Sequence, residues 1–447
     1  MSENAKLTRG SIRSHLVSQT LPMIVGVAAI MSIGLVDAYF IGQLGSAELA
    51  AISFVFPVTI ALGSMGVGIM VGINSVVARA LGEGDDEKAE RRGTLGLIFA
   101  VISGIVVGLA LFALLGPLFR LMQAPDDLQA IIQTYMRPFA LGYPLQMTIM
   151  GINGVLRGQG EARKTSLVSI TYSAANWVLD PILITGAFGF EGLGIVGAAY
   201  ATLIGWALGI LVGLRLVRRA PLELGLAKLR NCHPAEPLFA IIKVAAPAAV
   251  SNSINPIGLA VLTALLASEG EAAVAGFGAA GRIQSFAVVP LLALSGAIGA
   301  IVGQNWGARK PERSREAMLL AGIFCLGYGL VIAAILSFGG GWFADLFTED
   351  PAVMQQFARY LSIAAWGYAG FGLLIVANGA LNAVDKAKFA LMQSFARVFL
   401  VMMPIAIVLR GQWGSDAIFA AELAANLAGG ALASVIVWRV LKRDPKA

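Results

Sequence analysis

"LPMIVGVAAIMSIGLVDAYFIGQLG", residues 21–45, carries one charged side chain, Asp37, in a run long enough to cross a bilayer as a helix. About twenty apolar residues at 1.5 Å each span the ~30 Å hydrocarbon core. The run shows no alternation of polar and apolar residues, so it does not read as a β-barrel strand. Working outward, similar runs recur along the whole chain. They predict twelve helices over roughly 16–40, 49–77, 93–116, 128–156, 166–187, 193–217, 238–266, 272–303, 317–338, 355–381, 388–409 and 416–440. The composition agrees, since the 447 residues are 57% hydrophobic and only 13% charged, whereas a soluble domain is about a quarter charged. The expected fold class is an all-α integral membrane protein.

Lys6, Arg9 and Arg13 precede a first span too long for a signal peptide, which is read as a retained helix. Alternate connections and the two termini hold 26 of the 32 Lys and Arg, and the opposite face only Arg120 and Arg410. That bias predicts cytoplasmic termini in a multi-pass protein of a prokaryotic inner membrane. It also accounts for the net charge of +6 without nucleic acid. Cys232 and Cys325 suggest no disulfide framework, and His15 and His233 no metal cluster.

Laid over itself so that Pro22 falls on Pro247, the chain aligns its halves. At that same offset Gly45 falls on Gly270, Gly82 on Gly307, Glu87 on Glu312, Tyr135 on Tyr360, Gly142–Tyr143 on Gly367–Tyr368, and Asn153–Gly154 on Asn378–Gly379. One shared offset argues for duplication. Six helices per half is an even number, so the repeats are parallel, related by a pseudo-two-fold along the membrane normal. The expected organisation is an N-lobe over 1–217, a cytoplasmic linker over 218–237 and a C-lobe over 238–447. Two such lobes suit alternating access about a central site.

The halves differ in their acids. Asp37 and Asp180 lie in spans of the first half, and the offset places Leu262 and Ile405 opposite them. Intramembrane carboxylates are costly and usually mark an ion or proton path. Asp37 lies about 8 Å and Asp180 about 11 Å from the outer ends of their helices, a shared depth. Asn176 and Tyr172 lie on the same face of helix 5 as Asp180, one and two turns earlier, and Tyr135 reaches a similar depth. A carboxyl taken out of water favours its neutral form, and a second carboxylate beside it adds to that. Pro181 removes a backbone hydrogen bond and is expected to kink helix 5, freeing a carbonyl. These oxygen ligands suit H⁺ or Na⁺ and no transition metal. A polar network that merely locks helices together is the bland alternative, and it is preferred for Glu422. Arg282 and Arg359 are assigned no role.

"GSMGVGIMVG", residues 63–72, reads as close helix packing through Gly68 and Gly72, not as a nucleotide loop. No GxxxxGK[ST] is present, so no ATP motor is indicated. Pro22 is a candidate bending point. Tyr39, Met65 and Met147, with Phe40 and Phe54, are candidate cleft residues, although each reads more readily as packing.

Five stretches together resemble the multidrug and toxic compound extrusion (MATE) transporters: residues 21–45, "SVVARALGEGDDEKAERR" (75–92), "NGVLRGQGEARKTS" (153–166), "NWVLDPILI" (176–184) and "GQNWGARKPERSREA" (303–317). "NWVLDPILI" with Asp37 is similar to the DinF-like prokaryotic branch. That resemblance implies a cation-coupling site in the first lobe at Asp37, Asn176 and Asp180, support from Tyr135, and bending at Pro22. The other prokaryotic branch places carboxylates in helices 7 and 10, where 245–267 and 360–381 have none. Ala198 stands where some relatives have a Na⁺-coordinating threonine, which favours H⁺.

The function expected is antiport of H⁺, with Na⁺ as the alternative, against hydrophobic or cationic drug-like small molecules. A flippase or exporter of a lipid-linked or amphipathic metabolite is the first rival. An enzyme is not expected, because no nucleophile–base pair or metal cluster appears. No cofactor, soluble partner or nucleic acid is indicated, and the chain is read as a monomer in the bilayer.

Overall fold

The computed structural model describes residues 3–187, 189–230 and 233–442. Cys232 lies outside them. The N-terminal half contains α1 (Ile12–Gly42), α2 (Ser46–Glu83), α3 (Asp86–Leu121), α4 (Asp126–Gly158), α5 (Ala162–Asp180) and α6 (Ile195–Arg218). The C-terminal half contains α7 (Ala235–Leu266), α8 in two pieces (Glu271–Ala287 and Val289–Gly307) and α9 (Pro311–Phe338). There follow α10 (Pro351–Ala364, then Tyr368–Ala383), α11 (Ala387–Phe395 and Met403–Trp413 around a π turn) and α12 (Ser415–Lys442).

Eleven of these twelve crossings are long and apolar enough to span a membrane by composition alone. The exception is α4, which carries Gln133, Arg137 and Gln146 but has 33 residues, about 50 Å of helix. Helix starts are set by local chemistry. Asp85 accepts from the Lys88 amide at the start of α3, and Asp350 accepts from the Ala352 amide at the start of α10. Pro311 and Pro351 open α9 and α10, where a missing N–H costs nothing.

The repeat is visible in the backbone. Ser46 and Glu271, Asp86 and Pro311, Asp126 and Pro351, and Ala162 and Ala387 begin matching helices, each pair separated by the offset that lays Pro22 on Pro247. The pairings repeat as well: α3 lies on α4 as α9 lies on α10, and α5 on α6 as α11 on α12.

Glycines bring the halves into contact. Added Cβ atoms on Gly68 and Gly72 of α2 would stand 2.6 and 2.8 Å from the carbonyls of Ala245 and Ile241 on α7. Gly296 of α8 receives the Met23 side chain, and Gly303 lies against Ala78. The 63–72 stretch is therefore a packing surface between halves. α1 and α2 pack along Val289–Gly307, whereas Glu271–Ala287 touches α1 only marginally. The halves thus meet at the end that bears the termini and part towards the other.

Two segments outside the spans are tied down. In the connection expected as a linker, the amides of Leu222 and Glu223 donate to Gln159 Oε1 and Glu90 Oε1 of the first half, each at 3.1 Å. Before α1, Leu7 exchanges hydrogen bonds with Gln304 and Asn305 of α8, while Lys6 Nζ pairs with Glu161 at 2.9 Å. The N-terminal segment therefore straps one half to the other.

Pro181 ends the regular part of α5. It opens a π turn, Pro181–Gly186, the local geometry most often found at functional positions in helices. Gly197 on α6 leaves room for the Leu183 carbonyl. The amides of Leu193 and Gly194 take the carbonyls of Leu183 and Ile184 at 2.7 and 3.1 Å, so these two are spoken for within the backbone.

Candidate ion site in the first half

α1 and α5 are held close because Gly26 faces Ser166, with only 3.1 Å left between an added Cβ and the Ser166 Cα. Further along the pair, Asp37 and Asp180 come together. Asp37 sits five residues before the end of α1, and Asp180 closes the regular part of α5 at the π turn. Asp180 and Asn176 are buried, at 0% and 1% exposure, and Asp37 is partly so. The Asp37 carboxyl lies beside both Asp180 and Asn176. Tyr135 on α4 is close enough to feel both carboxyls, and its ring continues into Phe139 and Trp206.

The deciding feature is what these oxygens lack. Both carboxyl oxygens of Asp180, Oδ1 of Asp37 and Oδ1 of Asn176 are buried and accept no hydrogen bond from the protein. Asn176 Nδ2 donates one of its hydrogens to Thr202 Oγ1 of α6 at 3.4 Å, which ties α5 to α6 beside the acids. Buried acceptors with no donor are strongly disfavoured. A proton shared between the carboxyls, or a small hard cation among the four oxygens, satisfies them. No group of three or more His, Cys, Asp or Glu placed for a metal ion exists among the described residues.

Glu422 is the counter-example. It is also buried, but Oε1 accepts from Gln284 at 2.8 Å, and Oε2 lies 2.9 Å from the Tyr360 hydroxyl, whose one proton it shares with Gln284 Oε1 at 2.7 Å. Arg397 beside it is held by Asn426 and Asn255. Arg359 makes a two-pronged pair with Asp416, and Arg282 is exposed.

Other sequence candidates fall elsewhere. Met147 is fully buried, packed against Gly66 and Gly104 inside the first half. It is core and does not line a cleft, because α2 and α3 close on it where those glycines allow. Met65 is partly buried against the same core. Tyr39 is exposed and rests edge-on against Phe40. Tyr172, although on the Asn176 face, has Ser169 and Arg157 as its polar neighbours rather than the acids. Pro22 lies within an uninterrupted α1. Thr202 was missed. It lies in the same stretch of α6 as Ala198, one turn later, and that spacing was the available signal.

A model of the MatE family matches residues 22–182 and again 247–408, two copies whose first residues are the repeat-matched Pro22 and Pro247. The chain belongs to the MATE family. Among its relatives, a Shewanella oneidensis protein named FAD transporter is 32% identical over 415 residues, covering 91% of this chain and 90% of that one. The multidrug export protein MepA of Staphylococcus aureus is 24% identical over 428 residues, 95% of this chain and 93% of its own. The crystal structure of the Vibrio cholerae MATE transporter VcmN in the bent form is 29% identical, with a TM-score of 0.90 over 98% of each chain. This MATE protein is thus a multi-pass membrane transporter built of two six-helix lobes.

Proposed function

We propose that the protein is a cation-coupled antiporter that exports hydrophobic or cationic small molecules, with H⁺ as the coupling ion and Asp37, Asn176 and Asp180 as its site. The observation that carries this reading is the cluster of buried, donor-less oxygens on α1 and α5, set against the fully bonded Glu422 of the other lobe. With the termini cytoplasmic, as the basic residues favour, the end at which the lobes part faces outward. Protons entering from outside neutralise the Asp37–Asp180 pair. Loss of charge changes how α1 and α5 pack, and the π turn beside Asp180 is the joint best placed to rearrange. Drug is then released outward, and inward reset returns the protons. Coupling requires that both ligands bias one two-state element. Ala198, buried on α6, contributes no hydroxyl for Na⁺.

A second reading, export of an amphipathic metabolite such as a flavin nucleotide, is favoured by the Shewanella oneidensis relative. It leaves the ion site unchanged. The test is efflux from proteoliposomes under an imposed pH or Na⁺ gradient, with an ethidium-type cation and FAD as alternative cargoes. Wild type should respond to the pH gradient, and Asp37→Asn and Asp180→Asn should not. Drive by Na⁺ alone would change the ion, and undiminished gradient-driven efflux in both variants would remove the pair from the mechanism.

A further inference from the structure

A cavity of about 1080 Å³ opens between the lobes at the terminus-bearing end, far from Asp37 and Asp180. Six cations line it: Arg79 and Arg92 from the first lobe, and Lys243, Arg309, Lys386 and Arg439 from the second. Its three carboxylates are all engaged. Glu236 holds Arg92 at 2.9 Å, Asp385 holds Lys243 at 2.6 Å, and Glu83 is turned to Lys88 outside the cavity at 2.7 Å. Arg309, Lys386 and Arg439 are exposed and have no carboxylate partner among the described residues. The aromatic rings of Trp306, Phe239 and Phe389 share the lining.

The bias towards positive charge on this face calls for Lys and Arg somewhere, but not for their convergence on one concavity. The repeat shows that the fold does not call for it either. The turns after α2 and α4 use Gly84 and Gly160 at φ +82° and +73°. Their mates in the second half are Arg309 and Asp385, held at φ +56° and +63°, a region that aspartate tolerates but that costs an arginine more than a glycine. Both line the cavity. Lys386 likewise stands where the first lobe has Glu161. An arginine held in that conformation where the matched lobe has glycine points to a binding role.

We propose that this cavity is a binding site for a phosphate-bearing anion, held by Arg309, Lys386 and Arg439 with the aromatic rings covering its less polar part. Guanidinium and ammonium groups free of carboxylates are the donors a phosphate takes. The anion is either the headgroup of an anionic phospholipid or a soluble nucleotide. The site lies away from Asp37 and Asp180 and does not rest on their proposed role.

Calorimetric titration of the full-length protein in uncharged detergent, with ADP and separately with short-chain phosphatidylglycerol, tests this. At least one probe should bind saturably, and binding should fall roughly tenfold for each cation removed in Arg309→Gly and Lys386→Gln. Arg309→Gly installs the residue the first lobe uses, so the unliganded variant should melt no lower than wild type. Lys386→Gln changes an exposed side chain and carries the same binding expectation alone. Binding of ADP only assigns a soluble ligand, and of phosphatidylglycerol only a lipid headgroup. No saturable binding of either probe, or an equal loss in Arg120→Gln at the opposite end, overturns the proposal.

Discussion

A Cβ on Gly82 would stand 2.1 Å from the carbonyl oxygen of Gln304, and the repeat returns the contact, with Gly307 only 2.2 Å from the carbonyl of Arg79. Positions 79 and 304 are themselves mates in the repeat, so the lobes grip each other through one glycine–carbonyl contact used twice. Gly82→Ala should force the backbones apart at the terminus-bearing end, at about 1–3 kcal/mol for overpacking. The expected outcome is a shift towards states open at that end and weaker gradient-driven export. A cysteine placed at Ala78, buried against Gly303, in a background without Cys232 and Cys325, reads this directly. Its maleimide labelling should quicken in the Gly82→Ala variant, and an unchanged rate would mean that close contact is not needed.

The two buried acid sites should respond differently to neutralisation. Glu422→Gln keeps the shape of a group whose oxygens are both bonded, but turns one acceptor into a donor facing Gln284 or Tyr360. We expect a loss of stability on the order of 1–3 kcal/mol, read as a lower melting temperature, with export still driven by the pH gradient. Asp180→Asn should do the reverse, leaving melting near or above wild type because an unsatisfied carboxylate is gone, and uncoupling export from the gradient. Loss of coupling in Glu422→Gln would move the proton path into the second lobe.

Much of this was legible in the sequence because it rests on periodicities and on the cost of charge in hydrocarbon. The twelve spans, the internal repeat and the reading of Gly68 and Gly72 as packing needed only hydropathy and spacing. The meeting of Asp37 with Asp180 was anticipated from shared depth, and the nearness of Asn176 from the one-turn interval. What stayed hidden depends on rotation about a helix axis or on local backbone choice. Met147 lies at cleft depth but is turned inwards, towards Gly66 and Gly104. Tyr172 shares a face with Asn176, yet is far enough along the helix to meet Arg157. Pro181 removes a donor, and its sequence neighbourhood does not reveal that the backbone widens into a π turn after it.

The N-terminal strap should loosen in acid. Burial pushes the Glu161 carboxyl up, but Lys6 and Lys164 more than offset this and hold it below the ordinary 4.5. A carboxyl held low in the folded protein stabilises above its unfolded value, and the contribution fades as pH falls through the folded value. Because Lys6 is half-exposed, the pair is worth no more than about 1 kcal/mol. The exchange rate of the Leu7 amide, bonded to Gln304 at 3.1 Å, taken relative to the intrinsic rate at each pH, should be steady near neutrality and rise only below the ordinary carboxylate range. Lys6→Gln should move that rise to higher pH, and coincident profiles for the two proteins would show that the pair does not hold the strap.

Thr202 engages the Asn176 amide nitrogen beside the acids. With Nδ2 donating to Thr202 Oγ1, that N–H is withheld from Asp37 and Asp180. Thr202→Val keeps the β-branched shape and removes the acceptor, so the amide is free to turn and offer its N–H groups to the carboxyls. Such a donor stabilises the charged form of the acids. Coupled export should therefore need a more acidic outer solution, with the pH profile of transport displaced downwards by a fraction of a unit to one unit, the scale of a single hydrogen bond to a charged group. Thr202→Ser keeps the hydroxyl and should restore the wild-type profile. A profile displaced equally by valine and serine would trace the effect to packing between α5 and α6, and the orientation of Asn176 would then owe nothing to the threonine hydroxyl.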